Sequence, residues 1–527
     1  MNNLLPGLIA FLGLIGLASI IAPRVKLPAA VLLAIAGIVW GSVPALAPLR
    51  IAPGVVLTVF LPPLLYSEAW RASWQDFKRW LRPILSLAIG LVGFTILCVG
   101  VAAKALMPEL PWAVCFLLGA IVSPTDTVAV YSVLSRLRVP RRALAIFGGE
   151  SLVNDATGLL GVQLALAVIF SGVFEAGSIA IDFAHIAGVG IASGIAVGLA
   201  AAAANARLSG TRVLFVFSLV APYTAFAIAD ALGASGIIAV VVAGFVASWR
   251  LNLIPAESRV DLYTAWDLLS YFLNALMFLF VGLEIPQRLA VDLHTNWGPL
   301  WTGLVISGVV IAARLIWFWP AAYIPLWLSP TLRRREGGYP PPSAVLVGAW
   351  CGVRGAISLA AALALPQMLG SSPFPGRGEI LTATLVTIAV TLIGQGATLE
   401  PLVRWLRIPS EPATEVETQA AREAMLAAGI ARLDQFCEER SCPVAVHRYR
   451  DVLVDQLAEI RELEENARNH ASRRLAVSRE VRRAVWQAET AELLRLRDTG
   501  KINDGDHQSL QLELDREHAD LHAAAEA

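Results

Sequence analysis

Leu117-Leu118-Gly119-Ala120-Ile121-Val122-Ser123-Pro124-Thr125-Asp126-Thr127-Val128-Ala129-Val130 sets a carboxylate inside an apolar run. Gly149-Glu150-Ser151-Leu152-Val153-Asn154-Asp155-Ala156-Thr157-Gly158-Leu159-Leu160 does so again, with Asp155 standing 29 residues after Asp126. Both acids are flanked on each side by residues that belong in a bilayer. A charge at that depth costs at least about 2.5–3.5 kcal/mol on insertion scales. Chains keep such groups where protons or ions bind, so the two runs read as membrane spans that carry a transport site.

The composition agrees. Of 527 residues 56% are hydrophobic and 16% charged, with a mean hydropathy of +0.64; these values describe a polytopic membrane protein rather than a soluble one. The net charge of zero conceals a division. Residues 1–410 carry 25 Lys+Arg against 17 Asp+Glu, or +8, and residues 411–527 carry 16 against 24, or −8. A membrane domain over 1–410 followed by a water-soluble acidic tail over 411–527 is expected. Five cysteines, Cys98, Cys115, Cys351, Cys437 and Cys442, form no disulfide framework, and His447 alone is too little to make the last pair a zinc site. The apolar N-terminus lacks a basic leader and reads as a first span.

A helix needs about 20 apolar residues to cross the hydrocarbon. That length gives thirteen spans, near 4–22, 27–46, 54–69, 84–103, 111–135, 143–171, 185–205, 213–231, 234–249, 265–285, 299–320, 340–365 and 379–403. The connecting segments test the count. Those after odd-numbered spans hold 19 basic residues, among them Arg71, Arg82, Arg142 and Arg333-Arg334-Arg335; the opposite ones hold only Arg50, Lys104, Arg288 and Arg377. By the positive-inside rule the N-terminus faces out and the tail is cytoplasmic. No histidine lies in the interior of a span, His185 and His294 standing in or at the edge of outer loops, which disfavours an embedded zinc enzyme or a Ser–His hydrolase. Phosphate-binding glycine loops are missing too.

Span 5 is interrupted at Ser123-Pro124-Thr125-Asp126, because a mid-helix proline removes a donor and clashes with the preceding turn. A broken helix beside a carboxylate is the pattern of a transporter ion site; the plainer alternative is a proline kink with Asp126 capping the second half. In span 6, spacings of four put Glu150 with Asn154, and Ser151 with Asp155, on neighbouring strips of one helix face. A carboxylate beside a carboxamide offers hard oxygens to a small cation. Burial disfavours a carboxylate's charged form, so Asp155 can also hold a proton. A group that binds one or the other makes an exchanger. Span 12 has Gly352-Val353-Arg354-Gly355-Ala356, an intramembrane arginine among glycines, and span 11 has Arg314; one of the two arginines should neutralise Glu150.

Together with Met277-Phe278-Leu279-Phe280-Val281-Gly282-Leu283-Glu284, the segment Tyr223–Asp230 leading to Gly244, and Gln395-Gly396-Ala397-Thr398-Leu399-Glu400, these motifs resemble the sodium/proton exchangers over residues 5–408. The likeness is to the bacterial NhaP-like branch of the cation:proton antiporter superfamily, related to animal sodium/hydrogen exchangers. It implies an all-α polytopic membrane protein of about 13 transmembrane helices with inverted repeats, two crossed discontinuous helices and a cytoplasmic α-helical tail. It further implies a homodimer, with a mobile core of spans 4–6 and 11–13 moving like an elevator against a scaffold of spans 1–3 and 7–10. By motif, Asp155 becomes the ion and proton ligand, the Na+ site, with Asn154, Ser151, Thr125 and Asp126 around it. Glu150 would pair with Arg314, and Arg354 would serve the break in span 12. Asn154-Asp155, where electrogenic relatives have two acids, implies electroneutral one-for-one exchange. The substrates would be H+ and Na+ (or K+ or Li+), with no cofactor, no nucleic acid, and membrane lipid as surroundings in the plasma (inner) membrane.

One departure concerns Leu61-Pro62-Pro63-Leu64-Leu65-Tyr66-Ser67-Glu68, where the acid lies one place later than in many relatives. One helical step is a rotation of about 100°, so Glu68 is a weak site residue. Asp230 is another, equally readable as an end-of-helix acid. The tail reads as helices over 417–432, 452–468, 474–497 and 506–522, either a plain solvated bundle or a regulatory one. Rival functions are a potassium or broad monovalent cation/proton antiporter of the same build, and a channel or receptor whose tail signals.

Overall fold

The structure is a computed structural model that describes residues 4–25, 27–42, 56–126, 130–131, 134, 137, 139–172, 176–208, 210–249, 254, 256–295, 297–407, 412–439, 444–466, 490–493 and 495. The chain forms two compact units, Met1–Glu411 and Pro412–Ala527.

The first unit is helical almost throughout. In order it contains α1 (Leu4–Val25), α2 (Ala29–Gly41), α3 (Leu61–Arg71), the short α4 (Trp74–Arg79) and α5 (Leu81–Leu106). There follow α6 (Trp112–Val122), α7 (Arg141–Ser171), α8 (Ala176–Asn205), α9 (Thr211–Ala231), α10 (Gly236–Ser248), α11 (Ala256–Thr295) and α12 (Gly298–Leu328). The short α13 (Pro330–Arg335), the half-helices α14 (Pro342–Trp350) and α15 (Ala356–Leu363), and α16 (Arg377–Leu406) complete the unit. Among the described residues, seven helices are long and apolar enough to cross a membrane, and four shorter ones are also apolar. Each of the thirteen expected stretches coincides with one helix or a pair of half-helices; most of the second half of span 5 lies outside the described residues.

Local chemistry sets the ends. Ser235 accepts from the Ile238 N–H at the start of α10, Ser329 does the same for Leu332 at α13, and prolines occupy the first positions of α3, α12, α13 and α14. Single π-turns interrupt the ladders at Val56–Phe60, Ser86–Leu91 and Val390–Gln395. Such turns are frequent at functional sites. Between α15 and α16 a hairpin pairs Met368 with Pro373 and Leu369 with Ser372, an element that the helical pattern did not announce.

In lipid, helices are held by close packing rather than by expelling water. The motif glycine Gly282 shows how. A Cβ there would strike the Ala34 carbonyl and Gly37, and one on Gly37 would strike the Leu279 carbonyl, so α2 and α11 meet backbone to backbone. At the end rich in basic residues, Glu336 is buried and ties three segments together. It accepts from Arg82 of α5 (Nε–Oε1 2.9 Å, Nη2–Oε2 3.0 Å) and from Arg142 of α7 (Nη2–Oε2 3.1 Å).

The second unit, described by itself, holds α17 (Pro412–Glu439) packed on α18 (Val444–Asn466), with Arg450 Nε donating to Asp434 Oδ1 at 2.6 Å. The guanidinium holds the Asp434 carboxyl below the usual carboxylate range, but so exposed a pair adds little stability. Both helices run past the expected bounds toward each other. The expected helix at 474–497 is described only at 490–493 and 495, and the one at 506–522 lies outside the described residues. Cys98, Cys115 and Cys351 are free thiols, whereas Cys437 is disulfide-bonded, which spacing alone did not call for; Cys442 lies outside the described residues.

Candidate ion-binding site

Helix α6 stops at Val122, two residues before Pro124, and the chain runs without helical bonds through Ser123–Asp126. Helix α14 stops at Trp350 and α15 begins at Ala356, leaving Cys351–Gly355 non-helical between them. The two unwound segments cross. Asp126 N–H donates to the Val353 carbonyl (2.8 Å), and Arg354 Nε donates to the Val122 carbonyl (2.7 Å). Arg354 is buried, with Nη1 on the Gly352 carbonyl (2.8 Å) and its own N–H on Thr391 Oγ1 (3.0 Å), in the π-turn of α16. Its charge thus sits where the carbonyl ends of α6 and α14 concentrate negative potential. Gly355 abuts the Asp126 side chain so closely that any Cβ would overlap its carboxylate. Its φ of −133° suits any residue, so the requirement for glycine is one of space.

Beside the crossing, α7 presents its polar strip. Glu150 and Arg314 of α12 are each 1% exposed and form a two-pronged pair, Nη1–Oε1 at 2.5 Å and Nη2–Oε2 at 3.0 Å. Arg314 also reaches the Gly348 carbonyl, so it is the arginine that neutralises Glu150. Thr125 is fixed on three sides. Its hydroxyl donates to Glu150 Oε1 (3.2 Å) and accepts from Asn154 Nδ2 (2.6 Å), while Ser151 Oγ donates to its carbonyl (3.2 Å).

A cavity of about 30 Å3 opens at this point, lined among others by Thr125, Asp126, Ser151 and Asp155. That volume exceeds the roughly 10–15 Å3 that one water needs. Asp155 is buried at its wall, and its carboxylate makes no hydrogen bond or ion pair with any described residue. Glu68 of α3 lines the same cavity in spite of its shifted position, so that Glu68 and Asp126 both lie within electrostatic reach of Asp155. Asn154 is not among the lining residues: its Nδ2 holds Thr125, and its Oδ1 is buried without a partner. Asp230 is exposed at the C-terminal end of α9, away from the cavity. Two lining polar residues were not singled out from sequence, Asn274 of α11 and Ser358 of α15. A lone carboxamide in the apolar run before Met277 was a legible signal for the first.

Residues 7–405 match the family model for the transmembrane part of sodium/hydrogen exchangers. The chain belongs to that family. Among relatives of this exchanger, an uncharacterized Na(+)/H(+) exchanger of Mycobacterium bovis is 32% identical over 540 residues, covering 100% of this chain and 98% of the relative. A sodium, potassium, lithium and rubidium/H(+) antiporter of Bacillus pumilus is 26% identical over 490 residues, 90% of this chain and 71% of the relative. The solved sodium proton antiporter MjNhaP1 of Methanocaldococcus jannaschii matches with a TM-score of 0.59 at 21% identity, over 76% of this chain and 99% of that one. The exchanger is thus an all-α, multi-pass membrane protein with the NhaP fold.

Proposed function

We propose that this exchanger is a secondary antiporter that moves one sodium ion against one proton across the plasma membrane through Asp155. The observation that carries the reading is the contrast between two acids five residues apart on α7. Glu150 is occupied by Arg314, while Asp155 lines the cavity and makes no hydrogen bond or ion pair with a described residue. An empty, charged Asp155 is too costly to carry through the membrane. A proton or a cation removes that cost, and the two exclude each other. Thr125, Ser151 and Asp126 would surround the cation beside Asp155, with Asn154 holding Thr125 in place and Glu68 at the wall. Electroneutral exchange is supported by a single acid without a basic partner on this strip, its neighbour being an amide.

Spans 4–6 and 11–13 would move as the core against spans 1–3 and 7–10 in a homodimer, and residues 411–527 would regulate that movement. The excess of basic residues after odd-numbered spans supports an outside N-terminus and a cytoplasmic tail. The name of the Bacillus pumilus relative favours a second reading, in which potassium and lithium also serve; hard oxygen ligands discriminate through cavity size and ligand number.

The purified protein in liposomes with an entrapped pH dye, given sodium, lithium or potassium in turn with and without an imposed voltage, tests both readings. Sodium is expected to drive proton movement at a rate that voltage leaves unchanged. A steep voltage dependence would contradict electroneutrality, and no response to any of the three cations would contradict the antiport itself.

A further inference from the structure

We propose that Ser358 and Asn274 are specificity-determining ligands of the transported cation, two neutral oxygens that complete the shell begun by Asp155. This rests on the antiport reading above and extends it to residues that none of the motifs assigns.

Most buried serine and threonine hydroxyls elsewhere in the spans bond back to a carbonyl three or four residues earlier, as Ser67 does to Leu64 (2.9 Å) and Ser123 to Ala120 (2.9 Å). Ser307 does so to Gly303 (2.6 Å), Thr387 to Ala383 (2.8 Å), Thr391 to Thr387 (2.8 Å) and Ser193 to Val189 (2.7 Å). Such back-bonding is the ordinary fate of a hydroxyl in an apolar helix. Ser358 departs from it. The carbonyls three and four residues before it belong to Gly355 and Arg354, both in the unwound segment, because α15 begins only at Ala356. Its hydroxyl is 1% exposed and has no partner, yet the residue lines the cavity that Asp155 and Asp126 share. Thr95 and Thr384 also carry buried hydroxyls without partners, but neither lines that cavity.

A buried hydroxyl without a partner forfeits the hydrogen bonds that it would make in water. A cation bound in the cavity supplies what is missing, since the oxygen lone pairs are then satisfied by the ion. Asn274 faces the same cavity from α11 and makes no hydrogen bond with any described residue. Its carboxamide oxygen is a hard neutral donor of the same kind. Neutral ligands matter for the stoichiometry. They raise the coordination number without adding an acid that would demand a second proton or cation. They also act on selectivity, because alkali cations of different radius are told apart by how many oxygens reach them in a cavity of set size.

The experiment compares Ser358→Ala and Asn274→Ala with the wild type in liposomes, measuring KM and maximal rate for sodium, lithium and potassium. Each variant is expected to raise the KM for the preferred cation about fivefold, the size of losing one neutral partner, and to change the order of preference. Maximal rate at saturating cation and melting temperature stay near wild type, which a merely structural loss would not allow. A variant that keeps both the wild-type KM and the wild-type cation order overturns the assignment of that residue while leaving Asp155 antiport intact. Absence of exchange in the wild type overturns the reading on which the assignment rests.

Discussion

Asp155→Asn is expected to yield a protein that folds, inserts and accumulates normally and yet moves no cation against protons. The substitution keeps the volume and replaces a group that must be charged or occupied by one that is always neutral. Stability should therefore hold or rise, because a neutral amide is cheaper to bury than an acid without a basic partner. Transport should fall to background, because the amide neither takes up a proton nor balances a cation. The same logic separates Asp155 from its neighbours: Asn154 and Thr125 are joined at 2.6 Å and Thr125 donates to Glu150, so they hold the geometry around it. The pH-dye signal on adding sodium, read together with the melting temperature, checks both halves. Sodium flux driven by a pH gradient in the variant would remove Asp155 from its role.

The second large effect is on stability. Arg314→Ala leaves Glu150 buried at 1% exposure with its charge uncompensated, at a cost of about 3–5 kcal/mol. The variant should express poorly and melt well below the wild type. Arg314→Met combined with Glu150→Leu should recover most of the loss, since apolar replacements of similar size often match a buried ion pair. The recovered protein should still bind the cation weakly, because Thr125 has lost the acceptor that orients its hydroxyl. Thermal melts of the three forms in detergent decide the point. A single Arg314→Ala variant as stable as the wild type would show that the pair is not what holds α7 against α12.

Much of the fold was legible because the bilayer imposes one length on every span, and basic residues punctuate alternate loops. The breaks in spans 5 and 12 were legible for local reasons, Pro124 in one and the glycines around Arg354 in the other. What the sequence could not give was which side chains share a wall. Asn154 reads as a cation ligand from its place beside Asp155, but neighbours in sequence stand about 100° apart on a helix, and its amide turns to Thr125 instead. Glu68 looked rotated away, and only the packing of α3 against the crossing brings it to the cavity. Ser358 stands only two residues beyond the Gly352–Ala356 motif, yet its unused hydroxyl depends on where α15 starts, which is a matter of tertiary structure. The hairpin at Met368–Pro373 is too short for any periodic signal.

The alternating use of one carboxyl by two guests can be measured without transport at all. Adding sodium to the purified exchanger in lightly buffered detergent, at a pH where Asp155 holds its proton, should release about one proton per chain as the cation displaces it. Asp155→Asn should release none. Cation binding without proton release in the wild type, or equal release from the variant, would contradict the account.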